Sequence, residues 1–578
     1  VDIEKWLEDL GDDVVDKDDL AIDFDVGWSG HDYVTDAPAT LPETLNLELT
    51  EWLTTDDLKS DRVLTDLLPI GHLTFDWTAD HNTFTGQREQ FKGTPGPTFP
   101  VDVNTRPVDI FLKYFDDDLL ELIVRQTNRH ATYQIDRFRT TENSRLNKWT
   151  NTDKCEITTF LAILIFQGLA PLSVESHYWK ETGYLTLKYF KTLMTYNRFL
   201  LLKRLLNFSD SNISVSTDQT QRTDPKLRKI WPVLSHLQKK FSELYLPGQE
   251  IAIDESLLKW QGRLSFAQKI ATKAAKVGVK TYELCESSTG YLWNFYVYTG
   301  KDSQQPSSEL QDMDTAENST KPPAPTCATA RIVLNLVNPL LNLGHTLVMD
   351  NFYNSPLLAR YLKSQGTDCY GTLRINREFV PESIKSVSKN DMRVGEVIHT
   401  FSRDVSICLW RDNNLVSMLS TYHENSIGGK EKYGRYKYKP QIVLDYNLMM
   451  GGVDKKDQLL SAHPIERSRN IIWYKKVFRR LLNITIVNSY VVYKIKHPNT
   501  TQRAFREKLA EELVGAFRPL VEVEPQPMVV TNIRSTLYIK HYVYLLRLGL
   551  KVGEEETYRS ARYDFDRCLG SLFVYEVC

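Results

Sequence analysis

The chain has 578 residues, 42% hydrophobic and 11% aromatic, enough for real cores and for roughly three to four domains of ordinary size. Its net charge of -3 hides segregation. Asp2, Glu4, Glu8, Asp9, Asp12, Asp13, Asp16, Asp18, Asp19, Asp23 and Asp25 stand against Lys5 and Lys17 in the first 25 residues, while basic residues gather in patches elsewhere, as expected when the partner is a polyanion. The cysteines (Cys155, Cys285, Cys327, Cys369, Cys408, Cys568, Cys578) form no CxxC pair and are odd in number, which argues against a disulfide framework and for a reducing, intracellular setting. The most apolar run, FLAILIF at 160–166, is too short for a bilayer, and no secretory signal opens the chain, so no membrane role is expected.

Residues 1–104 read as an acidic, largely disordered arm ending in the Pro/Gly-rich linker TGQREQFKGTPGPTFP. Apolar spacing of three and four then predicts helices over 109–130, 158–169, 189–208 and 229–245, a mostly helical region. The period changes at EIAID, a short strand closed by Asp254, and KTYELCESSTGYLWNFYVYTG (280–300) reads as two strands around a Ser-Ser-Thr-Gly turn. After a polar loop (301–326) come the helix ARIVLNLVNPLL, the strand HTLVMD (345–350) closed by Asp350, the helix SPLLARYLKSQG and the strand CYGTLR, a mixed α/β sheet. EVIHTF, VSICLWR and LVSMLST within 376–438 read as an inserted β module. Helix returns at 454 and continues through IIWYKKVFRRLLNITIVNSYVVYKIK, expected to pack back on the first helical region.

YNLMMGGVDKKDQLLS (446–461) holds two aspartates three apart, so Asp454 and Asp457 share a helix face. By itself this is a good helix N-cap, because Asp accepts the orphan amides of a first turn. A strand-end Asp254 or Asp350 likewise suits the start of a turn. Taken together, these carboxylates form an oxygen-only ligand set suited to Mg²⁺ or Mn²⁺, and two such ions serve in-line phosphoryl displacement. No HExxH, GxxxxGK[ST] or Ser/His/Asp order supports a zinc protease, P-loop enzyme or triad hydrolase.

The chain resembles the piggyBac transposase family from about residue 95 to 500, on GTPGP (93–97), ELIVRQTNR (121–129), IDESLLKWQGRLSF (253–266), MDNFYNSPLLARYL (349–362), STYHEN (420–425), YNLMMGGVDKKDQ (446–458) and VNSYVVYK (487–494). The resemblance implies an RNase H-like catalytic core (250–375 and 439–457) with an inserted mainly-β domain (376–438). It also implies a helical dimerisation and DNA-binding domain in two segments (105–249 and 458–525) and a C-terminal tail (526–578). It assigns Asp254, Asp350 and Asp454 as the catalytic aspartates, with Asp457 a further carboxylate and two Mg²⁺ or Mn²⁺ ions per site. The implied reaction is nicking, hairpin formation, excision and joining to TTAA targets by a nuclear homodimer or higher oligomer acting on double-stranded DNA. The family's cysteine-rich zinc module is poorly matched by 556–578: Cys568 aligns with one ligand, but Ser560, Tyr563 and Leu572 fall where others belong, so no zinc site is assigned.

Two basic patches are candidate DNA contacts. One combines Arg467, Arg469, Lys475, Lys476, Arg479 and Arg480 with Trp473 and Tyr474; the other is Lys259, Arg263, Lys269, Lys273, Lys276 and Lys280. A solvated helix face and an ordinary lysine-rich loop are the plain alternatives. Lys226, Arg228 and Lys229 fit part of a nuclear localisation signal. The functional readings are a cut-and-paste transposase, a domesticated DNA-binding derivative that no longer transposes, and a structure-selective nuclease.

Overall fold

The computed structural model describes residues 74–137, 144–181, 187–210, 224–270, 275–300, 328–432, 435–466 and 472–515. Residues 1–73 of the acidic arm, the 301–326 loop, Lys273, Arg467, Arg469 and the 526–578 tail lie outside the described residues. Among the described residues, Cys155, Cys285, Cys369 and Cys408 form no disulfide.

The α-helices of eight or more residues among the described residues are, in chain order, α1 (Pro107–Tyr114), α2 (Asp117–Arg137), α3 (Lys154–Leu169), α4 (Tyr196–Leu205), α5 (Trp231–Glu243), α6 (Ala328–Val337), α7 (Pro356–Ser364), α8 (Gln441–Met449), α9 (Gly452–Ala462), α10 (Trp473–Lys494) and α11 (Gln502–Gly515). The pattern read as one helix over 109–130 is two, because the Asp116 carboxylate accepts the Leu119 amide at 3.1 Å and starts a new first turn. Thr195 divides the 189–208 pattern in the same way, accepting from Arg198. α3 is capped by Asp153 and buried on nearly every side, which is why its apolar run shows no stripe. α1 meets both α10 and α11, α3 meets α11 and α5 meets α10, so the two helical segments pack together as expected.

The strands are β1 (Gly96–Pro97), β2 (Tyr245–Leu246), β3 (Glu250–Lys259), β4 (Gln268–Lys269), β5 (Val277–Glu286), β6 (Leu292–Val297), β7 (Thr346–Met349), β8 (Asp368–Thr372), β9 (Val397–Ser402), β10 (Val405–Arg411), β11 (Leu415–Ser420), β12 (Ile427–Lys432) and β13 (Arg435–Pro440). One mixed sheet runs β4-β5-β3-β7-β8-β11-β10-β9, with β6 also on β5. β3 is antiparallel to β5 and parallel to β7, and β7 is parallel to β8. The strands read as an inserted β module join this sheet, because β11 pairs antiparallel with β8 from Met418↔Thr372 to Ser420↔Tyr370. The sequence could not show that edge pairing, since hydrophobic alternation specifies a face and not a neighbour.

Residues 74–105, within the stretch read as a largely disordered arm and linker, are held on the sheet. Thr78 bridges to Phe401, and the Glu89 amide donates to Asp368 at 2.5 Å. Arg360, 1% exposed, donates to the carbonyls of Thr74 and Ser402 and pairs with Asp404 at 3.1 Å. One sheet face packs into the large core containing Ile251, Ile253, Leu347 and Met349. The other carries a smaller cluster of Ala252, Val348, Tyr370, Cys408, Trp410 and Met418, covered by Ile442 and Val443 of α8.

Candidate active site

Asp254 lies inside β3 and not at its end. The strand continues to Lys259 because its polar half pairs with β5 throughout, from Asp254↔Glu283 to Lys259↔Gly278. Asp350 directly follows β7. The parallel register Ala252↔Val348 and Ile253↔Met349 carries Asp254 and Asp350 to neighbouring positions on adjacent strands. Side chains alternate along a strand, so both acids, two positions beyond Ala252 and Val348, share the face of the smaller cluster.

Both carboxylates are fixed by local amides: Asp254 accepts from Glu255 at 2.8 Å and Asp350 from Phe352 at 2.9 Å. Burial pushes the Asp350 carboxyl above its ordinary range, the Glu255 charge adds to this, and the Phe352 amide and Arg374 pull the other way. Burial pushes the phenol of Tyr446, on α8, up to about 12, a hydrogen bond with Thr372 pulls the other way, and the charges of Asp350 and Asp254 add to the rise. Tyr353 donates to Glu255 at 3.4 Å from the turn after Asp350.

Asp454 sits in the first turn of α9 but does not cap it. Gly451 takes the cap position, with no side-chain cap, and the preceding YNLM is itself the end of α8. Asp454 is exposed at the positive end of the helix, where an anion is favoured. Two contacts lay α9 along β3. A Cβ added at Gly452 would be 3.4 Å from the Ala252 Cβ and 3.1 Å from the Glu286 carbonyl, and Ser256 donates to Asp457 at 2.9 Å. Asp454 lies between these contacts on the helix, as Asp254 does on the strand. Gly290, at φ +77°, lets the β5–β6 turn approach: a Cβ there would be 2.9 Å from the Lys456 amide nitrogen.

Asp457 is committed elsewhere. It pairs with Arg480 at 2.5 Å and Lys456 at 3.0 Å. Burial alone would raise its carboxyl, but these two cations and the Lys456 and Ser256 hydrogen bonds hold it below the usual range. Lys456, fully buried, also pairs with Glu283, and Arg480 reaches Glu466 at 3.8 Å. This ionic chain ties α9 to β5 and α10. Asp457 therefore serves in this structure to fasten the helix that carries Asp454.

Among the described residues, no three His, Cys, Asp or Glu side chains stand close enough to hold a metal together. The structure brings together the Asp254–Asp350 pair, with Asp454 on the adjoining helix. The Asp254–Asp350 pair has the chemistry of the one or two carboxylates through which Mg²⁺ or Mn²⁺ bind, with water and substrate phosphate oxygens completing the shell.

The two basic patches differ. Nineteen of the 22 residues of α10 are buried. Lys475 donates to the carbonyls of Lys203 and Arg204, Arg479 to that of Ile465, and Lys476 is 4% exposed. Trp473 packs edge-on against Phe266 at 5.3 Å. The sequence suggested a DNA-facing surface here, but Lys475, Lys476, Arg479 and Arg480 face inward, because cations far along the chain can be satisfied by buried carbonyls and carboxylates. In contrast, Lys259, Arg263, Lys269 and Lys276 are exposed around the β3–β4–β5 edge. Sequence reasoning missed Tyr446, Glu283 and Lys456. An acid inside the apolar strand YELCE was the available signal for Glu283.

No helix among the described residues is long and apolar enough to cross a membrane. The family described as "Transposase IS4" matches residues 106–490. PiggyBac transposable element-derived protein 2 of Homo sapiens is 23% identical over 412 residues, covering 67% of this chain and 62% of that protein. PiggyBac transposable element-derived protein 5 of Homo sapiens is 22% identical over 448 residues, covering 75% and 80%. The chain thus spans less than two thirds of the length of the first of these. A solved piggyBac transposase synaptic complex with hairpin DNA shares the fold at TM-score 0.61 and 24% identity, covering 74% of this chain and 86% of that one. With the family match extending over most of the chain and including all three aspartates, the protein belongs to the piggyBac transposase family.

Proposed function

We propose that this chain is a divalent-metal-dependent DNA transposase with an RNase H-like core, in which Asp254, Asp350 and Asp454 hold the metal. The observation that carries the reading is the parallel register that sets Asp254 beside Asp350 on the sheet face along which α9 runs. The order β6-β5-β3-β7-β8, an antiparallel hairpin followed by parallel strands, supports the RNase H-like assignment.

When bound, two Mg²⁺ or Mn²⁺ ions would stabilise charge on the attacking and leaving oxygens of an in-line displacement. The chain's own residues orient the reaction. The Glu255 and Phe352 amides fix the two carboxylates, and the ionic chain through Asp457 fastens α9. Hydrolysis at a transposon end frees a 3′-OH, that hydroxyl attacks the opposite strand to give a hairpin, hydrolysis reopens it, and the 3′-OH joins a TTAA target. Exposed Lys259, Arg263, Lys269 and Lys276 supply phosphate contacts near β3. The setting is the nucleus, with double-stranded DNA and a second copy of the chain as partners.

The test incubates the full chain and Mg²⁺ with labelled duplexes carrying the terminal repeats that flank its own coding sequence. Nicked and hairpin products are expected, and Asp350→Ala abolishes them while DNA binding persists. Normal cutting by Asp350→Ala would sink the site assignment. The second reading, a domesticated DNA-binding protein, is favoured by the substitutions at Ser560, Tyr563 and Leu572 and predicts binding without cleavage.

A further inference from the structure

Helix α9 carries Asp454 in its first turn and is held at both ends by groups from elsewhere in the chain. At its start, the Lys455 ammonium donates to the Ser287 carbonyl at 3.2 Å, in the β5–β6 turn. At its end, the last carbonyls of an α-helix have no partner within the helix. Two distant side chains supply them. Gln502 Nε2, at the start of α11, donates to the Leu459 carbonyl at 2.9 Å. Asn483 Nδ2, midway along α10, donates to the carbonyls of Leu460 at 3.3 Å and of the cap residue His463 at 3.5 Å. Both side chains are buried, so these bonds are made away from water.

Asn483 is itself oriented by charge. A guanidinium only donates, so Arg506 Nη2, at 2.6 Å, takes the Asn483 oxygen and turns Nδ2 toward α9, where it also meets Glu466 at 3.2 Å. Arg506 is fully buried. Burial pulls its guanidinium down to about 9 and the Glu466 charge opposes this, so it is charged at neutral pH. The same Glu466 lies 3.8 Å from Arg480, the cation on Asp457. The far end of α9 is therefore set by α10 and α11, in addition to the Asp457 pair in its middle.

We propose that Asn483, oriented by Arg506 and assisted by Gln502, is a positioning residue for the metal site: by holding the C-terminal end of α9 it sets where Asp454 stands against Asp254 and Asp350. This rests on the metal-dependent transposase reading. A helix of 11 residues is about 16 Å long and moves as a unit, so a slip at Leu460 is carried to Asp454. A misplacement of about 1 Å caused far from the chemistry costs about 100-fold in rate, and loss of a group that orients a metal ligand costs about 10- to 100-fold in metal affinity or activity.

The experiment titrates Mn²⁺ into the full chain, with the labelled terminal-repeat duplex present, and follows the electron paramagnetic resonance of the free ion; in parallel it measures the Mg²⁺ dependence of cleavage. It compares wild type with Asn483→Ala, with the milder Gln502→Ala, and with Leu201→Ala, a truncation in the separate cluster of Ala131, Leu146 and Leu205, which contains no residue of α9. Asn483→Ala should weaken Mn²⁺ binding and raise the Mg²⁺ concentration for half-maximal cleavage by about 10-fold, with duplex affinity unchanged. Gln502→Ala should shift both in the same direction by less, and it decides the matter if Asn483→Ala does not fold. Leu201→Ala should lower stability and shift neither. Unchanged Mn²⁺ affinity in the α9-end variants that fold, or an equal shift in Leu201→Ala, would overturn the positioning role alone. A wild-type chain that binds no Mn²⁺ would overturn the metal reading and the positioning role with it.

Discussion

Lys456→Met isolates the energetics of the ionic chain behind Asp454. The Lys456 side chain is 0% exposed and lies between Glu283, 2% exposed, and Asp457 at 3.0 Å. Methionine keeps similar bulk and removes the charge. Asp457 would retain Arg480 at 2.5 Å and Ser256 at 2.9 Å, but Glu283 would keep the Thr281 hydroxyl at 2.7 Å with no cation in contact among the described residues. A buried carboxylate stripped of its partner costs about 3–5 kcal/mol, so the unfolding free energy should fall by that amount. Adding Glu283→Gln removes the stranded charge while leaving Thr281 a partner, and the double variant should recover about 2 kcal/mol, the coupling typical of groups in contact. Urea denaturation followed by tryptophan fluorescence, with matched slopes, measures both quantities. A loss below about 1 kcal/mol for Lys456→Met, the value of an exposed pair, would refute the reasoning. So would a double variant whose loss is the sum of the two singles.

Gly371→Ala should disturb the strand end that presents Asp350. An added Cβ would stand 1.8 Å from the Met349 carbonyl, so β7 and β8 must part, at about 1–3 kcal/mol in a melting experiment. Cleavage should fall more than DNA affinity; equal losses would speak against local displacement of Asp350. Asp445→Asn tests the link from the STYHEN segment to α8, where His423 bonds the Asp445 carboxylate at 3.0 Å. That bond, opposed by burial and helped by Gln441, holds the Asp445 carboxyl below its ordinary value. A depressed acid stabilises the fold above its unfolded pKa of about 3.9 and loses that contribution as pH falls through the folded value. Wild type should therefore exceed Asp445→Asn in thermal stability at neutral pH, and the difference should close below about pH 4. A gap unchanged by acid would rule out the carboxylate as its source.

The sequence by itself determined the strand and helix periods, the positions of Asp254, Asp350 and Asp454, and the family, because those are carried by local spacing and by ordered motifs. Tertiary structure decided which groups meet. Asp254 meets Asp350 only through parallel pairing of β3 with β7, and register is set by burial of one face, which a single strand cannot show. It also separated two similar-looking basic runs. Lys475 and Arg479 are satisfied by carbonyls of Lys203, Arg204 and Ile465, whereas Lys259 and Arg263 stay in water. Asp454 and Asp457 differ for the same reason: three residues apart on one helix, one is exposed beside β3 and the other is locked by Arg480 and Lys456. Spacing gives a side chain its direction on an element, while the charge it meets depends on segments far away in the chain.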